Sequence, residues 1–450
     1  MNVILLSGGS GKRLWPLSND VRSKQFIRIF KREDGSYESM FQRMYRGIRN
    51  VSPDANITVA TSKSQMSGIN NQLAEVFPDE YADLSIEPCR RDTFPAIALA
   101  SFYLKDVKRV REDEAVVVCP VDPYVERDYF ESLIKLSELA CEGDSNIYLM
   151  GMEPTYPSAK YGYIIPEDKT EISKVKEFKE KPDEKTAEEY IKRGALWNGG
   201  IFAFKLGYVL DKTKKLLGYE SYDELKKNYA NAEKISFDYA VVEKEPEISV
   251  LRFPGLWKDL GTWNTLTEAM EENIIGSGVL GDECSNIHIV NNLDIPVFAM
   301  GLKDIVVSAS PDGILVSDKH QSSYIKPYVD KFDDRVMFAE KSWGSYKVID
   351  AEDESLTIKV TLNEGHKMYY HSHERRDESW NVISGRGKVV IDDEEREVGP
   401  GDVVKIPVGS KHTIIALSEL QLIEVQFGKD IDVNDKIKWQ EDGKEQIKHN

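Results

Sequence analysis

The hydrophobic rhythm of this chain changes near residue 275, and the two halves admit different folds. Up to that point short β-type runs (Val3 to Leu6, Ile57 to Thr61, Val116 to Cys119, Ile147 to Met150, Ile201 to Phe204) alternate with helical stretches. Such alternation predicts an α/β domain over residues 1–270, a parallel or mixed sheet with helices on both faces. Between Ser39 and Arg49, Met40, Phe41, Met44, Tyr45 and Ile48 share one helical face, and Ser39 with Gln42 reads as a capping box. A second helix is predicted from Asp183 to Arg193, behind Lys181-Pro182. Beyond residue 275 the apolar runs are short, punctuated by Gly, Asn and Asp, and show no helical period. They predict a β-rich, helix-free connector over 271–342 and a small β-barrel or jelly roll over 343–430, with a charged, peripheral tail at 431–450.

Length and charge set outer limits. The 450 residues suffice for two or three domains, and 41% hydrophobic against 30% charged residues is globular usage, which rules out wholesale disorder. A formal net charge of −18 repels phosphate backbones and anionic lipid, so neither nucleic acid nor a membrane is an expected partner. A local basic pocket for a small phosphorylated ligand stays open. Four cysteines (Cys89, Cys119, Cys141, Cys284) without a C-x-x-C pair offer neither a disulfide framework nor a thiolate zinc site, and reduced, mostly buried thiols are expected. Glycines follow the first apolar run by Gly8, too soon for a signal peptide or membrane span, so the cytoplasm is the expected compartment.

That first run leads into Ser7-Gly8-Gly9-Ser10-Gly11-Lys12-Arg13-Leu14-Trp15-Pro16-Leu17-Ser18. Three glycines after a strand let backbone N–H groups approach phosphate oxygens, and Arg13 adds charge-assisted contacts. The loop fits neither the Walker A spacing nor the dinucleotide G-x-G-x-x-G fingerprint.

With Lys24-Gln25-Phe26, this segment resembles the signature of the sugar-1-phosphate nucleotidylyltransferases, and within them the GTP-using mannose-1-phosphate guanylyltransferases. The likeness continues through Glu87-Pro88-x-x-Arg91-Asp92-Thr93, Pro120-x-Asp122, Tyr161-Gly162-Tyr163-Ile164, Phe178-x-Glu180-Lys181-Pro182, Trp197-Asn198-x-Gly200, Phe237-Asp238-Tyr239 and Trp257-x-Asp259-Leu260-Gly261. It implies a Rossmann-like nucleotide-diphospho-sugar transferase domain, with GTP and a sugar 1-phosphate as substrates and a homo-oligomeric assembly. Gly8, Gly9, Gly11, Arg13, Lys24, Glu87 and Arg91 would face the nucleotide, and Gly162, Glu180, Lys181, Asn198 and Asp238 the sugar phosphate. Arg13, Lys24 and Lys181 would be the catalytic cations, with Asp122 and Asp259 holding Mg2+. The residue types suit that chemistry, because two phosphorylated reactants repel each other until cations offset their charge, and hard carboxylate oxygens suit magnesium. Three positions depart from the family pattern: Ser23 stands for Pro, Asp92 for Asn and Pro123 for His. Asp92 is expected to add negative charge beside the nucleotide.

Four of seven histidines fall between 366 and 412. His371 and His373, two apart on a strand, share a face, and Glu378 and His412 can complete a site for a divalent transition metal such as zinc, iron, manganese or nickel. The spacing resembles both halves of the cupin motif, while His366 falls outside it. The domain order resembles the bifunctional mannose-1-phosphate guanylyltransferase and mannose-6-phosphate isomerase proteins, which implies an isomerase at the cupin; the alternative is a cupin that only binds a metal or sugar phosphate as a sensor or serves as an oligomerisation module. The family's His-x-His-Arg-x-Glu-His-Trp becomes His371-Ser372-His373-Glu374-Arg375-Arg376-Asp377-Glu378-Ser379-Trp380. Arg375 and Arg376 are candidate phosphate contacts there, and Glu374, Asp377 and Glu378 are expected to crowd one loop with negative charge.

Overall fold

The computed structural model describes residues 1–9, 12–19, 21–332, 336–429, 431 and 435–439. A nine-stranded mixed sheet organises the first domain from β1 (Asn2–Ser7), β2 (Asn56–Ser62), β3 (Asp83–Glu87), β4 (Ala115–Pro120), β5 (Ile147–Met152), β6 (Gly162–Pro166), β7 (Ile172–Lys179), β8 (Leu196–Lys205) and β9 (Ile248–Phe253). Their order is β3-β2-β1-β4-β8-β5-β9-β7-β6, with β6 also paired to β8. The first four strands in that order run parallel, and β8 is antiparallel to both its neighbours. Side chains alternate across this sheet, as the two-residue strand period requires. Val3, Leu5, Val117 and Cys119 pack with helices α1 (Met40–Val51) and, farther along, Arg127–Glu142. Ile4, Val116 and Val118 pack on the other side against Thr93–Asp106.

Local signals set the helix starts. Ser39 caps α1: its hydroxyl accepts from the Gln42 N–H at 3.1 Å, and the Gln42 side chain accepts from the Ser39 N–H at 3.0 Å. The second expected helix runs Glu184–Lys192, with Asp183 accepting from the Thr186 N–H at 2.9 Å.

The connector stacks parallel rungs. Ile274–Ile275, His288–Asn291 and Ile305–Ser310 form one ladder and Gly278–Leu280 with Val297–Ala299 another, before Gly313–Asp318 turns back antiparallel. It is not helix-free as expected: Gln321–Tyr324 is a 3-10 turn and Lys326–Val329 a single α turn, started by Pro327, whose fixed φ suits the first helical turn. Here the connector grips the glycine segment. The Trp15 ring lies with its centroid 5.0 Å from that of Phe332, tilted at 53°, and Ser310 donates to the Pro16 carbonyl at 2.6 Å. Gly313 has φ +149°, and a Cβ there would stand 2.4 Å from Trp15 Cζ2. Gly313→Ala is therefore expected to cost about 1–3 kcal/mol by overpacking, read as a drop of a few degrees in Tm.

In the carboxyl-terminal domain a six-stranded and a five-stranded sheet enclose a separate core containing Trp343, Val360, Trp380 and Leu422. The larger sheet begins at β10 (Phe338–Lys341), which corrects the expected boundary at 343: these residues pair with the barrel strand Gly344–Ala351 and not with the connector. The expected peripheral tail is corrected in part: Ile437–Lys438 pairs with His371–Ser372, and the Trp439 indole donates to Ser372 Oγ at 2.9 Å. A two-residue strand leaves backbone groups to satisfy, and the tail supplies them. Residues 440–450 lie outside the described residues. All four cysteines are free; Cys119 is buried, but Cys141 is exposed, contrary to the expectation of mostly buried thiols, because it sits on the solvent side of its helix's last turn.

Candidate functional site

β1 and β4 end side by side, with Leu6 opposite Pro120, so Gly8-Gly9 and Asp122 emerge together at the carboxyl edge of the parallel strands, where open α/β sheets bind ligands. Gly9 has φ +100°, and an added Cβ at Gly8 or Gly9 meets nothing within 4 Å. Gly11 lies outside the described residues. Beneath this loop Ser23 donates to the Gly9 carbonyl at 3.1 Å and accepts from the Gln65 amide at 2.6 Å. Lys24 opens the next turn, and its Nζ lies 2.6 Å from Asp122 Oδ2 and 3.9 Å from Asp259 Oδ1. Asp259 arrives on the ribbon Trp257–Asp259, antiparallel to Pro123–Val125 with Asp259 opposite Pro123. Arg13 joins them, since a Cβ on Gly261 would stand 3.2 Å from Asp259 Oδ1 and 3.6 Å from Arg13 Nη1.

Burial works against the charges of Lys24, Asp122 and Asp259, and their mutual fields decide the outcome. Lys24 is held above the ordinary lysine range because Asp122 and Asp259 outweigh its desolvation. Asp122 is pulled below the carboxylate range by Lys24 despite burial, whereas Asp259 is pushed up by burial, with Asp122 as a like-charged neighbour. Two carboxylates held against one lysine form a donor set with room for further positive charge.

The start of β6 joins this cluster to a second. Lys160 and Tyr161 lie in the field of Asp259. At Gly162 an added Cβ would meet Glu180 Oε2 at 2.4 Å. Asn198, buried on β8, donates to Asp238 Oδ1 at 2.7 Å and accepts from the Gly200 N–H at 3.1 Å. The Lys181 ammonium sits 2.6 Å from Glu180 Oε1, so it pairs here rather than with Asp122. Glu180 Oε2 is buried without a hydrogen-bond partner, an acceptor that a ligand hydroxyl would satisfy. Burial and Glu180 push the Asp238 carboxyl up to about 7. Charge beside an anionic substrate therefore grows through neutrality: KM for a sugar phosphate is expected to rise between pH 6 and 8, and Asp238→Asn to flatten that rise in steady-state assays.

Glu87 and Arg91 form a third group, two strands from the glycine loop on the same edge. The Tyr229 hydroxyl donates to Glu87 at 2.6 Å, and Arg91 donates to the Ala230 carbonyl. Burial raises the Glu87 carboxyl to about 7. Asp92 places its charge beside Glu87, helping to raise that carboxyl, and also caps the helix Thr93–Asp106 by accepting from the Thr93 N–H at 2.8 Å.

In the barrel, His371, His373 and His412 are buried with ligand nitrogens within 4.8 Å of one another. Each Nδ1 faces a carbonyl, of Tyr369 (2.6 Å), Asp435 and Ser410 (2.9 Å) respectively, so each Nδ1 is the donor, which leaves Nε2 as the nitrogen for a ligand contact. Glu378 faces two of these nitrogens, 3.0 Å from His373 and 3.4 Å from His412. The Arg376 guanidinium faces His373 Nε2 at 3.1 Å, whereas His412 Nε2 is buried without a hydrogen-bond partner. The donor set fits a divalent transition metal. Two readings are corrected. Arg376 is buried, with Nε 3.1 Å from Glu378 Oε1, and braces the site instead of reaching for phosphate. Glu374 and Asp377 are exposed while Glu378 is buried, because residues two apart on Arg376–Ser384 share a face. Lys160 escaped sequence reasoning, while Tyr161, Ser23 and Trp380 stood in the quoted motifs without a role; the Trp380 indole donates to Glu378 at 3.1 Å.

Fold and site together define an α/β enzyme that handles phosphorylated ligands, carrying a cupin. A family model described as Nucleotidyl transferase matches residues 2–274, and one described as Mannose-6-phosphate isomerase C-terminal matches residues 333–442. The chain belongs to the nucleotidyl transferase family. It is similar to the alginate biosynthesis protein AlgA of Pseudomonas putida, 30% identical over 94% of this chain and 92% of that one. It is likewise similar to the mannose-1-phosphate guanylyltransferase RfbM of Salmonella typhimurium, 27% identical over 97% and 96%. A crystal structure from Thermus thermophilus, described as mannose-1-phosphate geranyltransferase, superposes with a TM-score of 0.62 at 27% identity, over 73% of this chain and 98% of that one. Among the described residues no helix is long and apolar enough to cross a membrane.

Proposed function

We propose that the first domain transfers a guanylyl group from GTP to mannose 1-phosphate, forming GDP-mannose and releasing pyrophosphate. The observation that carries this reading is Lys24 held between Asp122 and Asp259 beside the Gly8-Gly9 loop, with Arg13 facing the same cluster. A phosphate oxygen of the sugar attacks the α-phosphorus of the nucleotide and the bond to pyrophosphate breaks. Arg13 and Lys24 balance the charge that builds on the triphosphate, and Lys181 binds the sugar phosphate. Mg2+, held by Asp122 and Asp259, would supply further neutralisation and Lewis-acid polarisation when bound. Gly162, Glu180, Asn198 and Asp238 bind the sugar hydroxyls, and Glu87 with Arg91 the nucleoside side. Such phosphorylated substrates favour a cytoplasmic protein.

The test is pyrophosphate release with GTP, ATP, CTP and UTP against mannose, glucose and fucose 1-phosphates at millimolar magnesium. GTP with mannose 1-phosphate is expected to exceed every other pair by about tenfold or more in kcat/KM. No turnover with any pair would overturn the reading. A second reading, favoured by the three histidines with Glu378 and by the matched isomerase model, is that the cupin interconverts mannose 6-phosphate and fructose 6-phosphate on a divalent metal such as Zn2+. No interconversion with zinc, cobalt or nickel supplied would remove it.

A further inference from the structure

The segment that carries Lys24 is held from outside its own domain. At its front, Asn19 donates to Asp312 Oδ2 of the connector at 3.0 Å, and Asp312 Oδ1 accepts from the Met337 N–H at 2.9 Å, just ahead of the cupin. In the middle, the Arg22 guanidinium lies 5.4 Å from the centroid of the Phe338 ring, with Glu340 and Asp312 as charged neighbours. At its end, Arg28 spans the domains, its Nη1 donating to Glu340 Oε1 at 2.9 Å and its Nη2 to Glu75 Oε1 at 2.5 Å. Asn71 adds a bond to the Lys341 carbonyl at 2.7 Å. Phe338, Glu340 and Lys341 all belong to β10, the edge strand of the cupin's larger sheet.

Lys24 lies between these anchors in sequence, and Ser23 beside it carries the Gly9 carbonyl. A shift of β10 is therefore passed to the lysine and to the glycine loop through one short, packed segment. The Arg28–Glu340 pair is suited to the task, because both side chains are partly withdrawn from water, at 29% and 20% exposure, so their attraction is screened less than that of a surface pair.

We propose that β10 is a strut for the Lys24 segment, which makes Arg22 and Arg28 positioning residues of the transfer reaction and lets the cupin set the affinity for the nucleotide. The inference rests on the transfer reading above. Neither arginine touches the reacting groups; both act through Lys24 and Gly9.

The experiment uses the full chain and three variants: Glu340→Gln, Phe338→Ala, and the conservative Glu340→Asp, which keeps the charge facing Arg28 and Arg22. Initial rates are measured against GTP at saturating mannose 1-phosphate and the converse, with Tm and cupin metal content for each protein. Glu340→Gln and Phe338→Ala are expected to raise KM for GTP about three- to tenfold while leaving KM for mannose 1-phosphate, Tm and metal content near the unsubstituted values. Glu340→Asp is expected to keep KM for GTP within about twofold of the unsubstituted value. Unchanged KM for GTP in both Glu340→Gln and Phe338→Ala would overturn the strut, as would parallel loss in both KM values and Tm, which marks general destabilisation. Absence of turnover in the unsubstituted chain would instead defeat the transfer reading.

Discussion

Lys24→Ala is expected to lower transfer turnover by about 10²- to 10³-fold, the effect of deleting one preorganised charge from a site where phosphoryl charge builds. The loss is expected in kcat as well as kcat/KM, because the ammonium faces both carboxylates and the glycine loop rather than one end of a substrate. The substitution also leaves Asp122 and Asp259 facing each other without their cation. Full burial would make that cost about 3–5 kcal/mol. Both carboxylates keep about a third of their surface in water, so about 1–2 kcal/mol is the better expectation after solvent screening. Its pH dependence follows from Asp122, whose pKa Lys24 holds below the ordinary value. A depressed carboxylate stabilises the fold above its unfolded pKa of about 3.9 and loses that contribution as pH falls through the folded value. The Tm gap between the two proteins is thus expected to be full at neutrality and to close in acid. An equal gap at pH 7 and pH 3 would contradict the assignment, as would undiminished turnover.

His371→Ala is expected to weaken metal binding at the barrel by more than about 100-fold, since losses of that order follow even from removing the groups that merely orient a ligand. Metal content by mass spectrometry reads this directly. Chelator is expected to lower the Tm of the unsubstituted chain, because ions that bind only the folded state stabilise it, and to leave the variant unmoved. The geometry makes the prediction sharp: three buried histidines hold ligand nitrogens within 4.8 Å of one another, Glu378 lies 3.0 Å from His373 and 3.4 Å from His412, and His412 Nε2 is left without a hydrogen bond. Stoichiometric metal retained by the variant would show that the histidines are not its ligands.

Much of this was legible in the residues because local physics carried it. Ser39 and Gln42 mark a helix start wherever the chain leads, and alternation in Val3 to Leu6 and Val116 to Cys119 predicts strands with two apolar faces. The conjunction of Lys24, Asp122 and Asp259 was legible only through ordered motifs, because the pairing of Trp257–Asp259 with Pro123–Val125 crosses more than a hundred residues. Other features carried no local mark. Apolar runs of two to six residues in the connector do not say which rung they stack on. Ile437–Lys438 looked like tail because its strand partner, His371–Ser372, is too short to announce a vacancy. Arg376 read as a phosphate contact until strand alternation placed it on the buried face with Glu378. Asp92 read as a charge near the nucleotide, and its second task of capping a helix went unread. The brace from Glu340 to Arg28 joins residues 312 apart, which no periodicity foretells.

The central claim is that one cationic cleft brings a nucleotide and a sugar phosphate together so that one attacks the other. Phosphorus NMR on the full chain with GTP, mannose 1-phosphate and magnesium tests it most directly. Pyrophosphate and a nucleoside diphosphate sugar are predicted to appear in equal amounts, only when both substrates are present, and at a rate that collapses with Lys24→Ala. Pyrophosphate formed without the sugar phosphate, or product formed as fast by the variant, would contradict the account.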